Sequence, residues 1–372
     1  MILKTKTFQD AAKTILMAVD NNAANIELVV KENNLFLNVT NKEYYVSIKQ
    51  ELEQPEDFRA VVDASLFLSL IAGINTEEFE LKTKDNTVVV KSGKSSYKLP
   101  MIYENDNLME LPIIALNNTT VEMPISLDIL QSILNVNSKE LLKVKNIDVN
   151  ELQKLYYVTD EGCFTFTSGS CLNSFKLDKP IKMLLNDRIV KLFKLFREDV
   201  DFKFGYDEYN GYAQTKISMV GGNVALSAII TNDDVLLSKV QNPCAATKNF
   251  INENYPIKLV LSVQELSSAI SRLLLFTKNS IAKANMLYVP VNVKINADEI
   301  SFIDNSGNSE TVANENSSFV EKDYEMSMNI SDLKLVLDSC KDKHITFNCG
   351  NGRSIVVTRG PISNLLPESR RD

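Results

Sequence analysis

Apolar and polar residues follow a helical pattern in the stretch Met183–Val200. If Asn186 caps a helix there, one narrow face carries Ile189, Leu192, Phe193 and Phe196, at positions i, i+3, i+4 and i+7. The other side carries four cations spaced three residues apart, which are Arg188, Lys191, Lys194 and Arg197. The pattern predicts an amphipathic helix whose apolar face is part of a core. Taken alone, such a helix is typical of a solvated surface.

The same arrangement of helices and strands recurs along the chain. Predicted helices begin near residues 7, 126 and 262, and a second series begins near residues 63, 186 and 329, each followed by short strand-like runs. Side chains that can cap these helices are Thr7, Asp63, Ser126, Asn186, Ser262 and Asn329. Both series step by roughly 120 and then 140 residues, which indicates a repeat at the scale of a domain.

The repeat predicts an α+β fold of three similar domains, residues 1–120, 121–250 and 251–372. Each would have two amphipathic helices packed on antiparallel sheets. Two Asn-rich segments without a period, Tyr103–Thr120 and Val240–Tyr255, are interpreted as the linkers, and they contain Pro112 and Pro243.

Composition narrows the possible classes of function. The 372 residues are 44% hydrophobic and 24% charged, as in a soluble globular protein, and the net charge is −8. An acidic chain does not favour salt-driven binding of nucleic acid over its whole surface, although a local basic face remains possible. No apolar run approaches the roughly 20 residues of a membrane span, and the first residues lack a signal peptide's apolar segment. We therefore expect a cytoplasmic protein.

The sequence shows few of the residue patterns that are typical of catalytic sites. Five cysteines show no CxxC pair and are expected to be free thiols, and His344, expected to open a strand, is the only histidine. Gly93-Lys94-Ser95 and Gly221-Gly222 are interpreted as hairpin turns rather than phosphate-binding loops. Asp233-Asp234 is interpreted as a solvated turn rather than a cation site. We expect no cofactor, no metal and no enzymatic activity.

Six segments of the sequence resemble a known family. They are VVDASLFLSLIAGI, VVVKSGKSSYKLP, YYVTDEGCFTFTS, LLNDRIVKLFKLF, MNISDLKLVLDSC and the late LLP. In this order and over a chain of this length, they are similar to the bacterial sliding clamp, the β subunit of DNA polymerase III. The chain is identified as resembling a divergent member of that family.

The resemblance implies a fold and a function. Members of the family are head-to-tail dimeric rings of six similar domains, with sheets outside and twelve helices lining a hole for duplex DNA. They are processivity factors, which bind the polymerase, the clamp loader and other replication proteins through a pocket between the second and third domains. We expect the same of this chain.

Site residues follow from the helical patterns and from the resemblance. The expected DNA-facing cations are Lys13, Lys139, Arg188, Lys191, Lys194, Arg197, Arg272, Lys278, Lys334 and Lys341. The residues matched to the partner-binding pocket are Thr159, Phe164, Pro243, Leu365, Leu366 and Pro367. In the first domain, Leu66 and Leu70 are candidates for the dimer interface, with ordinary core packing as the alternative.

Two other classes of function stay open. A repeat-built adaptor would bind proteins through an apolar groove without encircling DNA. A hydrolase with a carboxylate-bound metal would depend on Asp233.

Overall fold

The computed structural model describes residues 1–136, 155–166, 170–209, 211–281, 289–315 and 319–368. Its helices are α1 (Thr5–Leu16), α2 (Ala64–Ala72), α3 (Leu127–Leu134), α4 (Asp187–Leu192), α5 (Asp234–Ile251), α6 (Val263–Ile281) and α7 (Ile330–Ser339), with a 3₁₀ turn at Phe193–Leu195.

Strands alternate with these helices along the chain. The first strands are β1 (Ile2–Lys4), β2 (Asn25–Lys31), β3 (Asn34–Thr40), β4 (Tyr44–Glu51), β5 (Arg59–Asp63), β6 (Glu78–Lys84), β7 (Thr87–Ser92), β8 (Ser95–Pro100), β9 (Tyr103–Glu104), β10 (Asn107–Leu108), β11 (Thr119–Ile125), β12 (Leu155–Thr159), β13 (Gly162–Phe166) and β14 (Ser170–Ser174). They are followed by β15 (Lys182–Asn186), β16 (Val200–Tyr209), β17 (Tyr212–Gly221), β18 (Val224–Ile230), β19 (Ile257–Ser262), β20 (Pro290–Ile295), β21 (Glu299–Ile303), β22 (Ser309–Ala313), β23 (Phe319–Val320), β24 (Tyr324–Asn329), β25 (His344–Cys349), β26 (Ser354–Arg359) and β27 (Ile362–Pro367).

The first of two compact units consists of residues 1–131 and 188–231. It contains an eight-stranded sheet in the order β11-β16-β17-β18-β4-β3-β2-β5, a four-stranded sheet in the order β1-β6-β7-β8, and the small hairpin of β9 and β10. The pairing of β18 with β4 joins residues 224–228 to residues 44–48. The larger sheet therefore includes strands from both the first and the second predicted domain.

The second unit consists of residues 132–187 and 232–372. Its nine-stranded sheet has the order β15-β12-β13-β14-β27-β26-β25-β19-β23, and its four-stranded sheet has the order β22-β21-β20-β24. The pairing of β14 with β27 joins residues 170–173 to residues 362–365. Here too a sheet crosses a predicted domain boundary, so the two units do not coincide with the three predicted domains. The division at residues 120 and 250 stays a prediction.

The predicted α+β fold with amphipathic helices on antiparallel sheets is confirmed. In the first unit, Phe8 of α1 is fully buried and contacts the rings of Phe67 and Phe79, with centroids 6.1 and 5.3 Å away. In the second unit, one core cluster joins α6, α7 and both sheets, and it includes Leu266, Ile270, Val293, Leu337 and Phe347.

Most predicted caps and turns are confirmed. The Asp63 carboxylate accepts a hydrogen bond from the Leu66 N–H, the Ser262 hydroxyl from the Glu265 N–H, and the Asn329 amide oxygen from the Ser331 N–H. Gly93 has a φ of +57° in the turn between β7 and β8, where glycine is favoured. The strand expected to open at His344 is β25, and none of the five cysteines forms a disulfide bond.

Two expectations about helix boundaries are wrong. The cap at Thr7 is not used, because α1 begins two residues earlier, directly after β1, and the Thr5 N–H donates to the Glu77 carbonyl at 2.9 Å. The linker expected at Val240–Tyr255 is mostly helix, because α5 runs through it with Pro243 inside. The other expected linker contains the short strands β9 and β10 and the start of β11.

A buried carboxylate fixes the segment that precedes β11. Asp207 on β16 is only 5% exposed, and its oxygens accept hydrogen bonds from the N–H groups of Asn117 and Asn118 at 3.0–3.1 Å. The Lys216 ammonium lies 3.0 Å away. Burial alone would raise the pKa of this carboxyl, but the hydrogen bonds from Asn117 and Asn118 and the Lys216 charge outweigh it and lower the pKa. The ionised form of Asp207 therefore stabilises the fold.

We expect Asp207→Asn to lower the free energy of unfolding at pH 7 by about 2 kcal/mol, because two amides and a lysine lose their anionic partner. The folded-state pKa is depressed, so the stabilisation is present above the unfolded-state pKa of about 4 and is lost as the pH falls through the folded-state value. Urea unfolding at pH 7 and pH 3 should show the difference from the unmodified chain shrinking in acid. The exposed Asp201 on the same strand is the control, and Asp201→Asn should change stability by less than about 0.5 kcal/mol at either pH. Equal effects of the two variants would contradict this role of Asp207.

Candidate functional site: a cationic concavity and a helix-covered sheet face

A concave surface of the first unit collects cations from separate parts of the chain. Its volume is about 990 Å³, and its charged lining residues are Lys6, Asp10, Lys13, Lys49, Glu51 and Arg197. Lys13 lies in the last turn of α1, and Arg197 follows the 3₁₀ turn. Four cations against two carboxylates give this surface a positive balance within an acidic protein, and it is one to which polyanions are attracted.

The stretch Met183–Val200 forms a shorter helix than its pattern predicts. Its four predicted apolar residues are each no more than 2% exposed, so the buried face is confirmed. However, α4 ends at Leu192, the 3₁₀ turn ends at Leu195, and Phe196 is extended with a ψ of 142°. The change of backbone allows Leu195 and Phe196 both to be buried. Arg197 consequently leaves the helix and reaches the rim of the concavity beside Gly222 and Asn223.

Three of the expected DNA-facing cations are paired with carboxylates. In the first unit, the Arg188 guanidinium lies 3.2 Å from Asp20 and 3.4 Å from Glu43. In the second unit, Arg272 forms two hydrogen bonds with Glu310, at 2.8 and 2.7 Å, and this contact lowers the pKa of the Glu310 carboxyl. Lys334 pairs with Asp338 one helical turn away in α7. The pairs of Arg188 and Arg272 connect separate elements, whereas that of Lys334 lies within one helix, and the geometry does not favour assigning these three cations to DNA.

The other expected cations differ in their exposure. Lys13, Lys194, Arg197 and Lys341 are exposed, and in the described part of the chain none of them forms an ion pair. Lys191 on α4 is half-buried. Lys139 lies outside the described residues, and Lys278 lies within α6 at a position whose side chain is not described.

The expected dimer-interface residues lie beside a sheet edge. Leu66 on α2 is 54% exposed, and the half-buried Leu70 lines a concavity of about 490 Å³ with Tyr97 of β8. Tyr97 is 44% exposed, and β8 is the outermost strand of the four-stranded sheet. An apolar helix face next to an unpaired strand edge is a combination that proteins usually cover.

The residues matched to a partner-binding pocket separate onto two faces of the nine-stranded sheet. Tyr157, Phe164 and Leu172 are paired across β12, β13 and β14, so they share a face. Leu366 lies on the opposite face, in the core with α6 and α7, because it alternates with Leu365 along β27. Leu366 therefore does not line a pocket on the face of Phe164.

The helix α5 covers the face that carries Phe164. Val240 and Cys244 of α5 pack in one cluster with Tyr157, Phe164 and Leu172. Of the other matched residues, Pro243 lies within α5, Leu365 and Thr159 are half-buried, and Pro367 is exposed. Phe164 is 1% exposed, so the expected pocket is occupied by a helix of the same chain.

Sequence reasoning missed α5, although a signal for it exists. The Asp233 carboxylate accepts hydrogen bonds from the N–H groups of Val235 and Leu236, which makes this residue the cap of α5 rather than a solvated turn. After it, apolar and small residues recur at helical spacing, at Leu237, Val240, Cys244, Thr247 and Ile251. Pro243 led instead to the prediction of a linker, because proline inside a helix is unfavourable.

Within the described ranges, no three histidine, cysteine, aspartate or glutamate side chains are grouped so that they could hold a metal ion. Among the same residues, no helix is both long enough and apolar enough to cross a membrane.

Comparison with known proteins gives matches to bacterial sliding clamps. Residues 5–109 match the family model of the DNA polymerase III beta subunit, N-terminal domain. The Beta sliding clamp of Helicobacter pylori strain J99 is 28% identical over 192 residues, which are 49% of this chain and 50% of the relative. The chain thus spans about half the length of the curated relatives it matches.

Solved structures match over the whole chain. The β subunit of the Streptococcus pyogenes DNA polymerase has a TM-score of 0.76 at 15% identity, with 100% of this chain and 99% of that chain covered. The DNA polymerase III subunit beta of Borrelia burgdorferi has a TM-score of 0.77 at 12% identity, with the same coverage. The Helicobacter pylori clamp bound to a DNA ligase peptide has a TM-score of 0.70 at 16% identity, with 99% of each chain covered.

The fold is that of the bacterial sliding clamp. The sequence similarity to the N-terminal domain of the DNA polymerase III β subunit lies in residues 5–109, which include α1 and α2. Within this clamp fold, the two resemblance segments that begin at Val61 and Leu184 form helices α2 and α4 with their preceding strands.

Proposed function

We propose that this protein is a DNA sliding clamp, a non-enzymatic processivity factor that encloses duplex DNA and tethers a DNA polymerase and other replication proteins. The observation that carries the proposal is the match of residues 5–109 to the N-terminal domain of the β subunit. The clamp fold of the whole chain supports it. The working form would be a cytoplasmic, head-to-tail dimer whose two chains contribute three clamp domains each.

The charge distribution fits enclosure rather than tight binding. A net charge of −8 repels DNA from most of the surface, whereas the concavity beside α1 has a positive balance. Phosphate contacts from long, exposed lysine and arginine side chains carry no sequence information, so a protein held in this way can move along a duplex. Lys13, Lys194 and Arg197 are the side chains that we assign to these contacts in the first unit, and Lys341 in the second.

Partner binding is assigned to the nine-stranded sheet where β14 meets β27. The Helicobacter pylori clamp is described as bound to a DNA ligase peptide, and we extend peptide binding to the present chain. The polymerase and the clamp loader would use the same face, which carries Phe164 and Leu365.

Retention on DNA tests the proposed function. We expect protein loaded onto nicked circular plasmid to remain bound when the salt concentration is raised to about 0.5 M, and to be lost when the plasmid is linearised, because a topological link fails only at free ends. An electrostatic complex would weaken on both forms as salt rises. Equal loss from circle and line would contradict enclosure, and a monomer with no retention would favour the adaptor alternative.

The exposed cations should account for the salt dependence of DNA contact. We expect Lys13→Gln with Arg197→Gln to reduce the slope of log K against log salt by roughly one for each lost phosphate contact. Fluorescence anisotropy with a short linear duplex measures this slope. Arg188→Gln is the control, since its guanidinium is already paired with Asp20 and Glu43, and its slope should match that of the unmodified chain. A larger effect of Arg188→Gln would reverse the assignment.

The dimer interface can be tested with one lysine. We expect Leu66→Lys to convert the dimer into monomers, because a charge placed in an apolar contact loses its hydration without gaining a partner. Light scattering after size-exclusion chromatography gives the mass in solution. Leu16→Lys is the matched control, since Leu16 lies on the other helix, α1, and is 50% exposed against 54% for Leu66. A dimer that survives Leu66→Lys would remove α2 from the interface.

A further inference from the structure

The helix α5 rests on the sheet through few buried side chains. Of its 18 residues, Val240, Cys244 and Thr247 are buried, each 3–6% exposed. By contrast, the core-facing residues of α6 between Leu266 and Leu274 belong to the large cluster that holds the second unit together. The cluster beneath α5 is a small, separate one. Because local stability follows the amount of buried apolar contact, α5 should open at a lower free-energy cost than the rest of the unit.

Pro243 weakens the middle of α5. Pro243 has no N–H to donate to the carbonyl one turn earlier, and its ring crowds that turn, which destabilises a helix interior. The ion pair of Lys248 with Glu161, at 2.5 Å, is mostly exposed to solvent and therefore adds little to the attachment of the helix. The helix is therefore held in place by its small apolar contact rather than by its own propensity.

The two ends of α5 are attached more firmly than its middle. Asn232 accepts a hydrogen bond from the Leu184 N–H and donates one to the Lys182 carbonyl, at 3.2 and 3.3 Å. Beyond the other end, the Tyr255 hydroxyl donates to the Phe250 carbonyl at 2.9 Å and lies 3.1 Å from the Ser354 hydroxyl. As a helix, 18 residues span about 27 Å, whereas an extended chain of the same length spans up to about 60 Å. Unwinding near Pro243 thus gives enough slack to uncover the sheet with both ends in place.

The sheet under α5 is also held by contacts that do not involve the helix. The strands β12, β13, β14 and β27 are paired in continuous antiparallel register, and the opposite face of β26 and β27 packs in the core with α6 and α7. The face under α5 presents Tyr157, Phe164, Leu172 and Leu184. Once uncovered, these side chains form an apolar surface beside the junction of β14 and β27, which suits the apolar side chains of a peptide.

From these observations we propose that α5 is a tethered occupant of the partner-binding face, and that a replication partner's apolar peptide binds by displacing it. The inference rests on the proposed function for the identity of the partner, and on the contacts above for the displacement. Partner affinity is then reduced by the fraction of chains in which α5 is closed. A partner that binds strongly enough, or at high local concentration on DNA, opens the site.

Thiol labelling tests the opening without any partner. Cys244 lies on the buried side of α5, where burial raises the pKa of its thiol, and Cys349 lies fully buried in the main core. With Ellman's reagent under native conditions, followed by mass spectrometry, we expect Cys244 to react at least about tenfold faster than Cys349. Equal rates would mean that α5 opens only when the whole unit unfolds, and would overturn the proposal.

Competition tests the displacement. The probe is the DNA ligase peptide that binds the Helicobacter pylori clamp. We expect it to accelerate labelling of Cys244, and to bind Val240→Asp about tenfold more tightly than the unmodified chain, because Val240 is 4% exposed against the sheet. Val235→Asp is the matched control, since Val235 on the same helix is 60% exposed, and its affinity should be unchanged.

The outcomes separate this proposal from the proposed function. Absence of peptide binding to Val240→Asp, or equal affinities for all three proteins, would overturn displacement even if the protein is retained on circular DNA. Loss of retention with normal Cys244 opening and normal competition would instead overturn the clamp function and leave α5 as the occupant of a peptide-binding face.

Discussion

Two strand pairings join parts of the chain that are far apart in sequence, β4 with β18 and β14 with β27. Each pairing extends a sheet from one predicted domain into the next, so the backbone hydrogen bonds of the sheet continue across the predicted domain boundary. An unpaired edge at either position would expose a row of N–H and C=O groups that invites aggregation. The pairing satisfies these groups within the chain and leaves β8 as an edge of the smaller sheet in the first unit. The proposed dimer would cover that edge together with the apolar side chains of Leu66 and Leu70.

The same pairings decide what each surface is free to do. Because the sheets pack on their helices through one face, apolar residues such as Phe8 of α1 and Phe67 of α2 are committed to the core, and Lys13 remains on the outside. Cations near carboxylates, such as Arg188 and Arg272, are used to hold elements together. Exposed cations such as Arg197 are left for a polyanion. The difference between paired and exposed cations explains how an acidic protein keeps a local positive surface. A count of all lysine and arginine residues would overestimate the charge of that surface.

Helix positions and caps could be predicted from the sequence because they depend on local spacing. Asp63, Ser262 and Asn329 cap their helices as the pattern indicates. The end of α4 could not be predicted, since the extended backbone at Phe196 accompanies a close approach to Gly221 of β17, which the local pattern does not show. The same holds for Arg188, whose carboxylate partners Asp20 and Glu43 are more than a hundred residues away. For α5, Pro243 suggested a linker because proline is unfavourable inside a helix. The helix forms nevertheless, because it packs against Phe164 and Leu172.

We propose that two copies of the chain close around a duplex with the cations of α1 and of the segment after α4 on the inner lining. Single-particle electron microscopy of the purified protein on nicked circular DNA measures this arrangement. We expect a closed dimeric ring with duplex density through its opening, and with Lys13, Lys194 and Arg197 facing that density. An open or compact particle, or a ring with these three side chains on its outer surface, would contradict it.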